Sequence, residues 1–151
     1  MTLVKAGLKT GIKAIQDGQP KSIPEAAQRW AQAIHSYSAS AMAGAVLPTT
    51  LMPATLQAKF VVSMNAKKWM ENLGADLLSW WSPVAWAGPG FTGVTVPAPP
   101  MNSKSIGDRI KSGEVSDVAG LLSDEIDKWT KTLKVTLTNV SSGATSLGPV
   151  S

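Results

Sequence analysis

The residues able to do acid–base or metal chemistry are few, and their spacing does not form a site. His35 is the only histidine, and the sequence contains no cysteine. A zinc site needs three or four ligands from histidine, cysteine, aspartate or glutamate, and no carboxylate stands at ligand-like spacing from His35. No Gly-x-Ser-x-Gly turn accompanies it either, as a serine hydrolase of that class would require. We therefore predict that His35 is a surface residue and that the chain holds no metal and no cofactor.

Three carboxylates, Asp124, Glu125 and Asp127, lie close to one another in the sequence. Paired carboxylates that do acid–base work need a cleft that pushes their pKa values apart. Lys128 and Lys131 follow within one helical turn, which favours a solvated face with ion pairs. The sequence thus predicts no enzyme. One buried carboxyl of strongly perturbed pKa in a deep cleft would instead indicate a small enzyme such as a cell-wall hydrolase.

Two short segments could in principle hold an anion. Gly88-Pro89-Gly90 is not expected to be a phosphate-binding loop, because the sequence predicts no strand before it and no helix with a terminal Lys-Ser/Thr after it. Ser103-Lys104-Ser105 precedes a predicted helix, whose amino end could seat an anion. We treat this as the minor alternative and expect no small-molecule substrate.

Helical periodicity covers most of the chain. Ser22 and Glu25 fit a capping box, in which the serine oxygen takes the amide three residues on and the glutamate reaches back. Ser116 or Asp117 is expected to cap a later helix. Apolar residues three or four apart predict the helices. They are expected at 2–16, from 22 with an end that fades through the small residues 38–44, from about 54 to 81 with a possible joint near Gly74, at 105–111, and after 117.

Two segments alternate with period two and predict strands, near 91–96 and near 133–140. The fold class is therefore mainly α, a helical domain with a small β element. At 151 residues the chain is one domain. It is interpreted as two similar helix–strand halves, 1–96 and 101–140, joined by a proline-rich spacer and followed by a mobile tail at 141–151.

Tryptophan is concentrated in the middle of the chain, where four of the six tryptophans fall between residues 64 and 91. Indole rings bury large apolar areas and are enriched at binding hot spots. Consecutive Trp80 and Trp81 point about 100° apart on a helix, so one could fill the core while the other faces a partner. The residues predicted to contact partners are Trp80, Trp81, Trp86, Phe91, Val135 and Leu137.

Charge sets further limits. The net charge is +4, and 16% of residues are charged. Only Arg29 and Arg109 are arginines, so a specific nucleic-acid interface is not expected.

Neither a signal peptide nor a membrane span is expected. Lysines interrupt the N-terminal segment where a signal peptide would be apolar. Prolines and serines break both long uncharged stretches before they reach the roughly 20 apolar residues of a membrane span. A membrane-surface protein, using the lysine-rich first helix and the tryptophan-rich loop, remains the alternative.

Three segments resemble small virion proteins of large contractile-tailed bacteriophages. They are AAQRWAQAIHSYSASAM (26–42), WWSPVAWAGPGFTGVTVPAPP (80–100) and LLSDEIDKWTKTLKVTLTNVSSGATSLGP (121–149). The resemblance covers about half of the chain. It lies in the general composition and order of the segments and not in diagnostic residues, so it transfers no functional residue. It implies a non-enzymatic part of the head, neck, tail or baseplate, located in the virion and assembled in the host cytoplasm. Its partners would be other virion proteins or copies of itself.

Overall fold

The computed structural model describes residues 2–151, and these form six α-helices and one antiparallel sheet. The predicted mainly helical fold with a small β element is confirmed. The helices are α1 (Lys5–Gly18), α2 (Ile23–Ser38), α3 (Pro53–Asn65), α4 (Trp69–Trp81), α5 (Ser103–Lys111) and α6 (Val118–Thr130). The strands are β1 (Leu47–Pro48), β2 (Ala85–Gly88), β3 (Phe91–Val96), β4 (Lys134–Asn139) and β5 (Thr145–Pro149).

The predicted helix starts follow from capping side chains. Ser22 Oγ accepts the Glu25 amide at 3.3 Å, and Asp117 Oδ1 accepts the Gly120 amide at 2.9 Å. Both caps are confirmed, with one difference: Glu25 reaches back to the amide of Lys21 rather than to that of Ser22. Each side chain satisfies one of the amides that the first helical turn leaves without a partner.

The long helix predicted from about 54 to 81 is wrong, because the chain forms two helices there. The break lies at Ala66–Lys68, and Gly74 is inside α4. Lys67 adopts a left-handed φ of 58°, and the amides of Lys68 and Lys67 bond back to the carbonyls of Ser63 and Met64. This is the Schellman arrangement that closes helix C-termini. It removes Val62, 69% exposed, from the apolar face that it was predicted to share with Leu73.

The strands form one sheet in the order β1-β2-β3-β4-β5, with every neighbouring pair antiparallel. The two predicted strands, near 91–96 and 133–140, are confirmed as β3 and β4, and they pair from Phe91↔Asn139 to Val96↔Lys134. The Pro97–Pro100 spacer therefore connects segments that reach the same sheet. The interpretation of two similar halves stays a prediction.

The segment 141–151, predicted to be a mobile tail, contains β5. Leu137↔Ser146 and Val135↔Gly148 pair β5 with β4. Val150 is only 2% exposed, and the backbone of Ser151 exchanges hydrogen bonds of 2.9 and 3.0 Å with Met42. The prediction was wrong because it weighed the Ser/Gly/Thr composition and overlooked that β4 offers this segment a free row of backbone groups.

Candidate interaction surface

His35 does not lie on the open surface as predicted. It is half-buried beside α4: Nε2 lies 3.3 Å from the carbonyl oxygen of Leu51, and the imidazole meets the Trp80 ring edge-on at 6.4 Å. The polar helix face on which it was placed is covered at this point by the loop after β1. His35 therefore serves as a packing and hydrogen-bonding residue between helix and loop.

The acidic cluster on α6 is divided between surface and interior. Asp124 is exposed and lies 2.6 Å from Lys5 Nζ. Asp127 is buried, contrary to the predicted solvated face; it accepts hydrogen bonds from Tyr37 Oη at 2.8 Å and from Lys131 Nζ at 2.8 Å. Burial, then the hydrogen bond to Asp127, raises the pKa of Tyr37 far above its usual value, so the phenol keeps the proton that it donates between α2 and α6.

The serine segment 103–105 forms the first turn of α5 and joins this helix to α4. Ser103 Oγ is buried, accepts the Gly74 amide at 2.9 Å and donates to the Glu71 carbonyl at 3.2 Å. The Asn102 side chain accepts the Ser105 amide at 3.3 Å. The Ser103 hydroxyl thus holds α5 against α4, and the Asn102 side chain caps the start of α5. Both side chains form their hydrogen bonds within the fold.

Neither a metal cluster nor a membrane span is found in the described chain. Across residues 2–151, no three His, Asp or Glu side chains are grouped so that they could hold a metal ion. Over the same range, none of the helices combines the length and apolar character needed to cross a bilayer.

The tryptophans predicted to contact partners are core residues. Trp80, Trp81 and Trp86 are 3%, 1% and 1% exposed. Trp80 Nε1 donates to the Met52 carbonyl at 3.0 Å, and Trp81 stacks on Trp86 with centroids 5.9 Å apart. These rings cannot meet a partner of the folded chain. The prediction failed because the three rings pack on one another and belong to the hydrophobic core, where Trp80 also meets His35 of α2.

The stack joins α4 to the inner side of the sheet. Trp86 Nε1 donates to Thr95 Oγ1 at 2.9 Å. A Cβ at Gly93 would lie 2.6 Å from Val135 Cγ1 and 3.1 Å from Trp86 Cβ, so glycine at 93 makes room for both side chains. Val135 is fully buried, and the prediction that it contacts a partner is also wrong.

Phe91 and Leu137, the remaining predicted contact residues, are half-buried. Both pack against the core cluster from the inner side of the sheet. They retain some exposed surface, so a partner contact by these two side chains stays a prediction.

The opposite side of the sheet, which we call the outer sheet face, is the surface that the sequence analysis missed. One row across it pairs Ala85, Val94, Thr136 and Leu147. The next row pairs Leu47, Ala87, Thr92, Thr138 and Thr145. Leu47, Val94 and Leu147 are 42%, 59% and 61% exposed. Lys134 is the one charged residue in the five described strands.

The available signal for this face was the alternation in Phe91–Val96. It places Phe91, Gly93 and Thr95 on one side and Val94 on the other. The alternation predicts a strand, but it contains no information on what covers the second side. Apolar side chains that remain exposed together on one sheet face are typical of a contact surface.

The sheet also has an open edge along β5. Hydrogen bonds of Val150 N to Leu133 O and of Asn139 N to Ala144 O fix which residues of the last strand bond to β4. Since bonding alternates in an antiparallel ladder, Thr145 and Leu147 direct their backbone groups away from β4. Both residues are exposed. At the opposite edge, β1 is only two residues long and ends in Pro48.

A groove of about 680 Å³ separates α1 from α2. Its floor consists of small residues, because a Cβ at Gly11 would already lie 3.1 Å from Ala33 Cβ, whereas a Cβ at Gly7 would meet nothing within 4 Å. Arg29 lies at its rim. Polar side chains of α2, among them Gln28, Gln32 and Ser36, contribute to its lining.

Comparison with protein-family models, with characterised proteins and with solved structures finds no match to this chain.

Proposed function

We propose that this chain is a non-enzymatic structural component of a tailed-bacteriophage virion, acting through protein–protein contacts in the assembled particle. The observation that supports it best is the outer sheet face, where Leu47, Val94 and Leu147 are exposed among threonines and alanines. Lys134 lies on the same face as Thr136 and is the one charged residue there among the described strands. A stable monomer rarely leaves a sheet surface with so little charge open to water. The resemblance of the three quoted segments to small virion proteins supplies the class of particle.

The side chains that could have done chemistry are used inside the fold. Asp127 is bonded to Tyr37 and Lys131, and Ser103 is bonded to the backbone of α4. The enzyme alternative required a perturbed carboxyl in a deep cleft. Burial does raise the pKa of Asp76, but its carboxylate accepts the Ser63 hydroxyl at 2.7 Å between α3 and α4, and Asp76 does not line the groove between α1 and α2.

The membrane-surface alternative depended on the lysines of α1 and on the tryptophan-rich loop. Lys5 and Lys9 form ion pairs with Asp124 and Asp117, and the hydrogen bond to Asp124 raises the pKa of Lys5. The tryptophans of the loop are buried. Binding to anionic vesicles that salt abolishes would favour this alternative, and flotation of the full chain with such vesicles measures it. We expect no co-flotation.

The proposal is tested by asking where the protein resides. Particles purified by density gradient from infected or induced cells should contain the chain at a constant ratio to the major structural proteins, measured by quantitative mass spectrometry. Val94→Lys combined with Leu147→Lys, which places charge on the outer sheet face, should lower that ratio. Val62→Lys, an equally exposed apolar position on α3, is the matched control. A chain found only outside the particles contradicts the proposal.

A further inference from the structure

The edge of β5 is less protected than natural sheet edges usually are, since Pro149 at its end is its one protective residue. Edge strands usually carry charged side chains, prolines or bulges that prevent pairing with another chain. From residue 135 to residue 151 the sequence has no charged side chain, and Pro149 is the only proline. The β1 edge is protected by its shortness and by Pro48. Association through the sheet is therefore directed to one edge.

We propose that β5 pairs antiparallel with β5 of a second copy of this chain, forming a two-fold dimer with a continuous ten-stranded sheet. The inference rests on the proposed function, because it names the first partner of the sheet surface described there. A second copy fits this edge because the edge is neutral and self-complementary. Two copies bring no like charges together, and the unpaired backbone N–H and C=O groups of one edge can bond to those of the other.

Pro149 selects the register. Only Thr145, Leu147 and Pro149 direct backbone groups outward, and Pro149 has no N–H to donate. A two-fold axis at Leu147 would pair Thr145 with Pro149 of the second copy, so that the proline ring meets the Thr145 carbonyl and leaves it without a donor. An axis at Ser146 makes the same number of intermolecular bonds without placing the ring in the pairing, because it pairs Thr145 with Leu147 of the second copy and uses the outward N–H and C=O of both residues.

The same register joins the outer sheet faces of the two copies. Thr145 and Leu147 both lie on this face, in the rows that contain Thr92 and Val94. Across the axis, Leu147 of one copy stands beside Thr145 of the other, and the row with Val94 runs on into the threonine row of the second copy. Cross-strand pairs of this kind stabilise a sheet.

The absence of cysteine from the sequence allows a direct test of the register. With the axis at Ser146, this residue faces its own counterpart in a non-hydrogen-bonded pair, with Cα atoms about 4.5 Å apart. That separation lies within the range of roughly 4.4–6.8 Å that a disulfide spans. Ser146→Cys should form a disulfide-linked dimer rapidly on mild oxidation. Leu147→Cys and the exposed control Val62→Cys should not.

Dimerisation itself is measured by sedimentation equilibrium of the full chain. Leu147→Pro removes an N–H that β4 does not use, so it should leave the circular dichroism spectrum unchanged. Because each copy loses one intermolecular donor, it should raise the dimer Kd at least about tenfold. Val62→Thr, which alters an exposed apolar residue away from the sheet, should leave the Kd unchanged.

A chain that is monomeric at every concentration, or a dimer whose Kd Leu147→Pro leaves unchanged, overturns the proposal. Should Leu147→Pro not fold, the cysteine variants decide: cross-linking through Leu147→Cys rather than Ser146→Cys overturns the proposed register. Incorporation into purified particles is scored separately. If the chain is a monomer that still enters the particle, the dimer is refuted and the proposed function stands. If the chain is a dimer that is absent from particles, the proposed function is refuted and the dimer stands.

Discussion

Buried polar side chains determine where neighbouring helices meet. Tyr37 and Asp127 connect α2 to α6 across 90 residues of sequence. Ser63 Oγ donates to Asp76 at 2.7 Å and so connects α3 to α4. A buried group that loses its partner retains the full cost of desolvation, so each pair disfavours alternative packings of the same helices.

Tyr37→Phe keeps the ring and removes the hydrogen bond to Asp127. Asp127 would keep only Lys131 as a charged partner while remaining buried. We expect the free energy of unfolding to fall by about 1–3 kcal/mol, measured by urea denaturation. In the double variant Tyr37→Phe/Asp127→Asn the charge is gone as well, so it should lose less than the two single changes added together. Full additivity would contradict this coupling.

Asp76 predicts a pH dependence of stability. Burial raises the pKa of this carboxyl in the folded protein, so the folded state binds the proton more tightly than the unfolded state. Stability therefore falls as pH rises from the ordinary aspartate pKa through the raised value. Asp76→Asn should raise the Tm at neutral pH and lose this advantage in acid, measured by thermal melts at both pH values. The exposed Glu114→Gln is the control, and a gain independent of pH would contradict the assignment.

At the scale of elements, glycines set how closely neighbouring segments approach. A Cβ at Gly74 would overlap the backbone of Met101, and one at Gly88 would overlap the carbonyl of Ala45. These contacts place the chain before α5 directly on α4, and the loop after α2 directly on β2. The helix break before α4 then sets the direction from which Trp80 and Trp81 enter the core.

Gly74→Ala and Gly7→Ala form a matched pair of substitutions inside helices. At Gly74 the added methyl collides with backbone that cannot move aside, so we expect a loss of at least about 2 kcal/mol. At Gly7 the methyl meets open space, and the better helix propensity of alanine should contribute up to about 1 kcal/mol. Chemical denaturation of both variants measures the difference. Equal effects would show that packing at Gly74 is looser than described.

Local patterns could be predicted from the sequence, and long-range relations could not. The caps at Ser22 and Asp117 and the strands β3 and β4 follow from residues within a few positions of one another. The helix break depends on the left-handed conformation of Lys67. The sequence contains no signal for it, because position 67 holds neither the glycine nor the asparagine that usually adopts this conformation. The burial of Trp86 and the position of Val150 depend on which segments meet in space, and local periodicity contains no information on that.

The candidate site was less predictable than the fold for the same reason. Aromatic residues were expected to mark the contact surface, yet a large ring is also the strongest core former. The outer sheet face is made of threonines and a few aliphatic side chains, and it becomes one surface only when β1 and β5 take their places at the edges. Those two strands had no sequence signal strong enough to predict them.

At the scale of the whole molecule, β5 closes the fold. Val150 is buried and Ser151 is bonded to Met42, so the last residues are tied to the loop after α2. The sheet thereby gathers segments from 47–48 to 145–149 into one surface. The stability of the molecule should depend on this strand, in contrast to the expectation for a mobile tail.

Removal of residues 145–151 tests this dependence. It uncovers β4 and withdraws Val150 from the core, and Val150 alone contributes about 1.5–3 kcal/mol by its burial. We expect a lower Tm and a broader transition, measured by circular dichroism and calorimetry. Leu147→Ser, which changes only the outer sheet face, should stay within about 0.5 kcal/mol of the parent chain. An unchanged Tm after truncation would restore the mobile-tail interpretation.

The packing of α1 against both α2 and α6 has a consequence for how the protein is made. Leu8, Ile12 and Ile15 of α1 leave the ribosome well before α6, which begins only at Val118. For more than a hundred residues of translation, the side of the first helix that α6 will cover has no partner. We therefore expect ribosome-associated chaperones to bind the nascent chain. We expect the docking of α1 against α6 to be the slow, late step of its folding.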